Sequence, residues 1–137
     1  GQFVMTIFEK IVAGEIPSYK VAETEDCLAF LDAFPLKQGH VLVIPKLPTD
    51  YIFDLNDHDY TELHLFAKKV AKAMKSVLPC NRIGVAVIGL EVPHAHIHLV
   101  PINSVGDIDF SQPKIVIEAN QMNEIAASIH KAFQELD

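Results

Sequence analysis

Three histidines alternate with apolar residues in His94-Ala95-His96-Ile97-His98-Leu99-Val100, between Pro93 and Pro101. In an extended chain, side chains alternate with a period of two. His94, His96 and His98 are therefore expected on one face of a strand, with Ala95, Ile97 and Leu99 turned into a core. Imidazoles are poor strand formers and titrate near neutral pH, so an internal row of them points to chemistry rather than to an ordinary solvent face. Two chemistries fit. In one, His94 with His96, or His96 with His98, binds a zinc or iron ion, as in an enzyme of cupin type. Such a site takes a further ligand, and the next acids downstream, Asp107 and Asp109, lie past a proline and a loop. In the other, one imidazole attacks an electrophile while its neighbours hold an anion and manage protons. Phosphorus suits that role, because neutral imidazole is a good nucleophile near pH 7 and the phosphoramidate it forms hydrolyses readily.

The elements that position the row follow from punctuation and periodicity. Thr6 and Glu9 have capping-box spacing ahead of Ile7, Phe8, Ile11 and Val12, a short helix stopped by Gly14 and Pro17. Residues 19–23 and 27–32 read as a hairpin around an acidic turn, and residues 40–45 as a buried strand. A long helix is expected over 57–77, with Leu63, Phe66, Val70, Met74 and Val77 on one stripe and its lysines toward the C-terminal end. Residues 83–88 and 94–100 read as two further strands. A last helix is expected over 121–136, capped by Asn120, with Ile125, Ile129, Phe133 and Leu136 inward. Strand pairs without a βαβ rhythm imply an α+β fold with a mostly antiparallel sheet of five strands. His58, His64 and His130 fall on helices and read as structural.

With these elements in place, the chain resembles the histidine triad (HIT) superfamily of nucleotide hydrolases and transferases. Residues 94–100 match its H-φ-H-φ-H-φ-φ signature, where φ is apolar. Ile7-Phe8-Glu9-Lys10-Ile11-Val12, Gly14-Glu15-Ile16-Pro17, Ala29-Phe30-Leu31-Asp32 and Gly39-His40-Val41-Leu42-Val43-Ile44-Pro45-Lys46 resemble its N-terminal half, in order. The likeness is greatest to the small nucleoside phosphoramidase branch. It implies a HIT-like fold, a homodimer built on the long helix and strand 83–88, and a small purine nucleotide substrate with no cofactor. It also implies that His96 is the nucleophile and becomes transiently nucleotidylated. His98 and His40 would form a proton relay, and His94 would position the others. Asp32 would bind the ribose hydroxyls, and Phe8, Ile11, Phe30, Leu31 and Ala33 would wall the base pocket.

The chain departs from that pattern ahead of the triad. The stretch 85–92 is short and lacks Asn; Leu90 stands where Gln is common and Glu91 where a small polar residue often binds phosphate. Pro48 replaces a frequent His. A carboxylate at Glu91 repels a phosphate dianion or holds a histidine protonated. A phosphoramidate or aminoacyl-adenylate is expected ahead of a dinucleoside polyphosphate, whose hydrolases carry extra length. A nucleotide-binding dimer without turnover is a further reading.

Composition narrows the field. The chain has 137 residues, half of them hydrophobic, which fits one domain over 1–137. Its net charge is −7, with 11 Lys and Arg against 18 Asp and Glu. That balance argues against long nucleic acid and against an anionic membrane surface. No signal peptide or membrane-spanning run is expected, and a Met5-Thr6 start is. Cys27 and Cys80 form no CxxC pair and read as buried thiols of a cytoplasmic protein.

Overall fold

The computed structural model describes residues 5–136. Its elements run α1 (Ile7–Val12), β1 (Lys20–Glu23), β2 (Cys27–Leu31), β3 (Val41–Pro45), α2 (Asp57–Val77), β4 (Arg82–Ala86), β5 (Ile97–Ile102) and α3 (Ala119–Gln134). Five strands form one sheet in the order β1-β2-β3-β5-β4, every neighbouring pair antiparallel. This is the expected α+β architecture.

Alternation along the strands sorts the sheet into two faces. Cys27, Ala29, Leu31, Val41, Val43, Ile97 and Leu99 pack under α2 and α3 with Leu63, Phe66, Val70, Met74, Ile125 and Ile129. Leu28, Phe30, Leu42 and Ile44 point the other way and are covered by Phe8 of α1, with Ile11 and Val12 beside it. The register carries Phe30 opposite Leu42 and Leu42 opposite His98. His98 therefore lies on the α1 face, next to the apolar row beneath α1.

Local signals hold at most ends. Thr6 and Glu9 form the reciprocal capping box of α1. The Asn56 side chain caps α2 by accepting from Asp59 N–H. Val77 is 39% exposed and falls off the buried stripe of that helix. At α3 the expectation needs correction: Glu118, not Asn120, is the N-cap residue, and the helix begins two residues early. Glu118 makes no side-chain cap bond there, so no capping side chain marks the start of the helix. Cys27 is in the core, whereas Cys80 is only half-buried; both are free thiols. Among the described residues, no helix is long and apolar enough to cross a membrane.

The histidine strand also needs correction. β5 begins at Ile97, so His94, Ala95 and His96 precede it, with His94 in a bend. Pro93 lacks the N–H a ladder needs. His94 N–H instead donates locally to the Val92 carbonyl (2.8 Å), and Ala95 N–H to Thr49 (2.7 Å). His94 and His96 both pack edge-on against Phe8 of α1, although only His98 of the three lies within β5.

Candidate active site

The site is assembled from both ends of a loop and from the approach to β5. Asp32 follows β2 and His40 precedes β3; Asp32 N–H donates to the His40 carbonyl at 2.9 Å, closing the loop between them. Gly39, at φ +92°, turns the chain into His40. Leu36 N–H, within the loop, donates to His40 Nδ1 at 3.0 Å.

That last contact fixes a chain of tautomers. His40 Nδ1 accepts, so its proton sits on Nε2. His40 Nε2 lies 3.0 Å from His98 Nδ1 and donates to it. His98 in turn carries its own proton on Nε2. On His96 the order is reversed: Nδ1–H donates to the His94 carbonyl at 2.7 Å, leaving the Nε2 lone pair free. His94 donates Nε2–H to the Pro45 carbonyl at 2.8 Å, and its buried Nδ1 has no partner. The rings of His96 and His98 are 4.9 Å apart between centroids, and Phe8 packs edge-on against His96 at 5.1 Å and His94 at 5.8 Å.

Electrostatics keep the relay neutral. Burial, with His98 and Lys114 adding to it, pushes His40 down to about 3. Burial, then the neighbouring His96 and Lys114, pushes His98 down to about 4. Burial also lowers His94. Burial pushes the Asp32 carboxyl up, against the Phe34 N–H that its Oδ1 accepts at 2.9 Å. The approach of Asp32 Oδ2 to His40 Nε2, 3.7 Å, is thus one of a carboxyl group to a neutral ring rather than an ion pair.

Asp32, His40 and His98 offer ligand atoms within 4.8 Å of one another, close enough for a metal ion. The tautomer opposes it. A metal on His40 Nε2 moves the proton to Nδ1, where it faces Leu36 N–H donor to donor.

A cavity of about 330 Å³ opens beside His96 and His98. Of the expected nucleotide residues it gathers Phe8, Ile11, Phe30, Leu31, Asp32, Ala33 and Glu91. Leu90 is not brought to it and is 88% exposed. His40 and His94 lie beneath, almost wholly buried. Sequence reasoning missed Phe110 and Lys114. Phe110 packs edge-on against His98 at 4.6 Å between centroids, and Lys114 lines the cavity. Both come from the segment between β5 and α3, where no periodicity marks them. His64 and His130 each donate to a main-chain carbonyl, of Tyr60 and Val21, away from the cavity.

The family model for the HIT domain matches residues 13–105 of this chain. The chain belongs to the HIT family. Across that family, it is 42% identical over 99 residues to an adenosine 5′-monophosphoramidase of Saccharomyces cerevisiae, covering 69% of this chain and 61% of the yeast protein. It therefore spans about three-fifths of that HIT relative. A fission-yeast protein of the same name, from Schizosaccharomyces pombe, is 40% identical over 99 residues, 69% of this chain and 72% of its own. A Hit-like protein of Bartonella henselae superposes with a TM-score of 0.82 at 31% identity, over 93% of this chain and 95% of that one.

Proposed function

We propose that this HIT protein hydrolyses the bond between the α-phosphorus and the leaving group of a purine nucleoside phosphoramidate or adenylate, through a nucleotidyl-histidine on His96. The observation that carries the reading is the opposed pair of tautomers: His96 keeps a free Nε2 lone pair while its cavity neighbour His98 keeps an Nε2–H. The names of the yeast relatives support the phosphoramidate class.

Phe8, Ile11 and Phe30 wall the base, with Leu31 and Ala33 beside them, and Asp32 accepts from the ribose hydroxyls. His96 Nε2 bonds to phosphorus as the bond to the leaving group breaks. The leaving group takes the Nε2 proton of His98, and His40 passes its Nε2 proton to His98 Nδ1. The positive charge gained by the His96 ring balances the charge left on His40. The His94 carbonyl, holding Nδ1–H, stabilises the charge the ring acquires. Water then attacks phosphorus, its proton returns to the relay, and His96 is regenerated. The first step consumes the proton the second releases.

The test is turnover of adenosine and guanosine phosphoramidates with and without chelator. Amine release unaffected by chelator is expected. Nucleotide binding without hydrolysis favours the non-catalytic reading, and loss of activity on chelation favours a metal enzyme.

The same chain is proposed to form a homodimer through α2 and β4. β4 is a sheet edge, Val85 on it is 63% exposed, and a cavity of about 450 Å³ runs between Ala67 and Ala71 of α2 and Ile83 and Val85 of β4. Light scattering should give twice the chain mass at micromolar concentration; a monomer contradicts this.

A further inference from the structure

The proposed substrate carries a negative phosphate into a cavity that already holds two carboxylates, Asp32 and Glu91. The histidines do not offset them. His98 is held down to about 4 and is neutral near pH 7. His96, as the nucleophile, must keep an uncharged Nε2. Among the described residues lining the cavity, Lys114 alone is a lysine or arginine. Its charge reaches the reacting groups, since it opposes the rise that burial gives Asp32 and adds to the lowering of His40 and His98.

The chain holds this lysine at the cavity with some care. After β5, Asp107 accepts from Asn103 N–H (2.8 Å) and Ser104 N–H (3.1 Å) and pairs with Lys37 at 3.3 Å. Asp109 accepts from Ser111 N–H and Oγ–H. These turns set Phe110 against His98. One residue past Lys114, Ile115 N–H donates to the Pro35 carbonyl at 3.0 Å, in the loop that carries Leu36. Lys114 is therefore tied from both sides to the loop and the strand that build the relay. Its Nζ donates to the Phe110 carbonyl at 3.3 Å and stands 5.4 Å from the centre of the Phe110 ring. That bond is long and exposed, so the ammonium exchanges it readily for a phosphate oxygen.

We propose that Lys114 is the phosphate-binding cation of this site, offsetting Glu91 and setting the preference for a nucleotide over a nucleoside. The inference rests on the nucleotide reading above and deepens it. Glu91, a departure from the family pattern ahead of the triad, is matched by a positive charge supplied from behind it.

The experiment measures AMP and adenosine binding to the full chain and to Lys114→Met and Lys114→Arg, with circular dichroism to verify folding. Lys114→Met should weaken AMP by about 10–100-fold, the range of a charged hydrogen bond, and leave adenosine unchanged. Lys114→Arg should retain most of the AMP affinity. AMP affinity should fall with added salt in the parent protein and much less in Lys114→Met. Unchanged AMP binding by Lys114→Met overturns the proposal while leaving the nucleotide reading intact. Equal losses for AMP and adenosine overturn it too, by showing that Lys114 only braces the segment. A parent protein that binds neither ligand removes both.

Discussion

His40 Nε2 lies 3.0 Å from His98 Nδ1, and the proton in that contact belongs to His40, because Leu36 N–H already occupies His40 Nδ1. A main-chain amide thus sets the direction of a side-chain relay two rings away. Replacing His40 or His98 with Ala should slow turnover by about 10²–10⁴-fold, the usual share of a general acid–base group. Steady-state kcat of both variants checks this, and an undiminished rate in either contradicts the relay.

Asp32 keeps Oδ2 free for ribose while Oδ1 accepts from Phe34 N–H. Asp32→Ala should weaken nucleotide binding by about 1.5–3 kcal/mol and change kcat little. A titration beside a kinetic series separates the two. A large fall in kcat at unchanged KM assigns Asp32 to the chemistry instead.

Stability should rise with pH across the acid range. The unfolded histidines bind protons below about 6.5, whereas folded His40 and His98 stay neutral down to about 3 and about 4. Between those limits the unfolded chain holds more protons, so acid favours it. Asp32, raised by burial, works in the opposite sense just above the ordinary carboxylate range, with one group against three, since burial lowers His94 too. Urea midpoints should climb from pH 4 to 6.5 and level above, and His98→Gln should flatten the climb. A flat parent curve contradicts the buried neutral pair.

Gly39 holds φ +92°, and a Cβ there would lie 2.6 Å from Leu78 Cδ1. Gly39→Ala should destabilise the fold by about 1–3 kcal/mol, from backbone strain and the clash together. A second substitution, Leu78→Ala, should not restore what the backbone loses. Urea unfolding of the single and double variants reads this directly, and a neutral Gly39→Ala contradicts it.

Much of the fold was legible because periodicity and punctuation agreed. The bounds of α1 and α2 follow from Thr6 with Glu9, and from the stripe that begins after Asn56. The face shared by His96 and His98 follows from alternation with Ile97 and Leu99. The bend at His94 was hidden because His94 N–H and Ala95 N–H donate to the Val92 and Thr49 carbonyls, partners that local pattern does not encode. Lys114 and Phe110 were hidden for a different reason: they reach the site through turns built by Asp107 and Asp109, and only the tertiary path reveals where those turns lead. The Leu36 amide has no side-chain signal at all.

The central claim is that His96 Nε2 becomes bonded to phosphorus. Rapid quench of the protein with a nucleoside phosphoramidate labelled at the α-phosphorus measures this most directly. The account predicts label on the protein within one turnover, as an acid-labile, base-stable adduct that maps to His96. It also predicts that His96→Ala forms no adduct and has no turnover while still binding nucleotide. Full turnover by His96→Ala, or the same adduct mapped to His94 or His98, would contradict it.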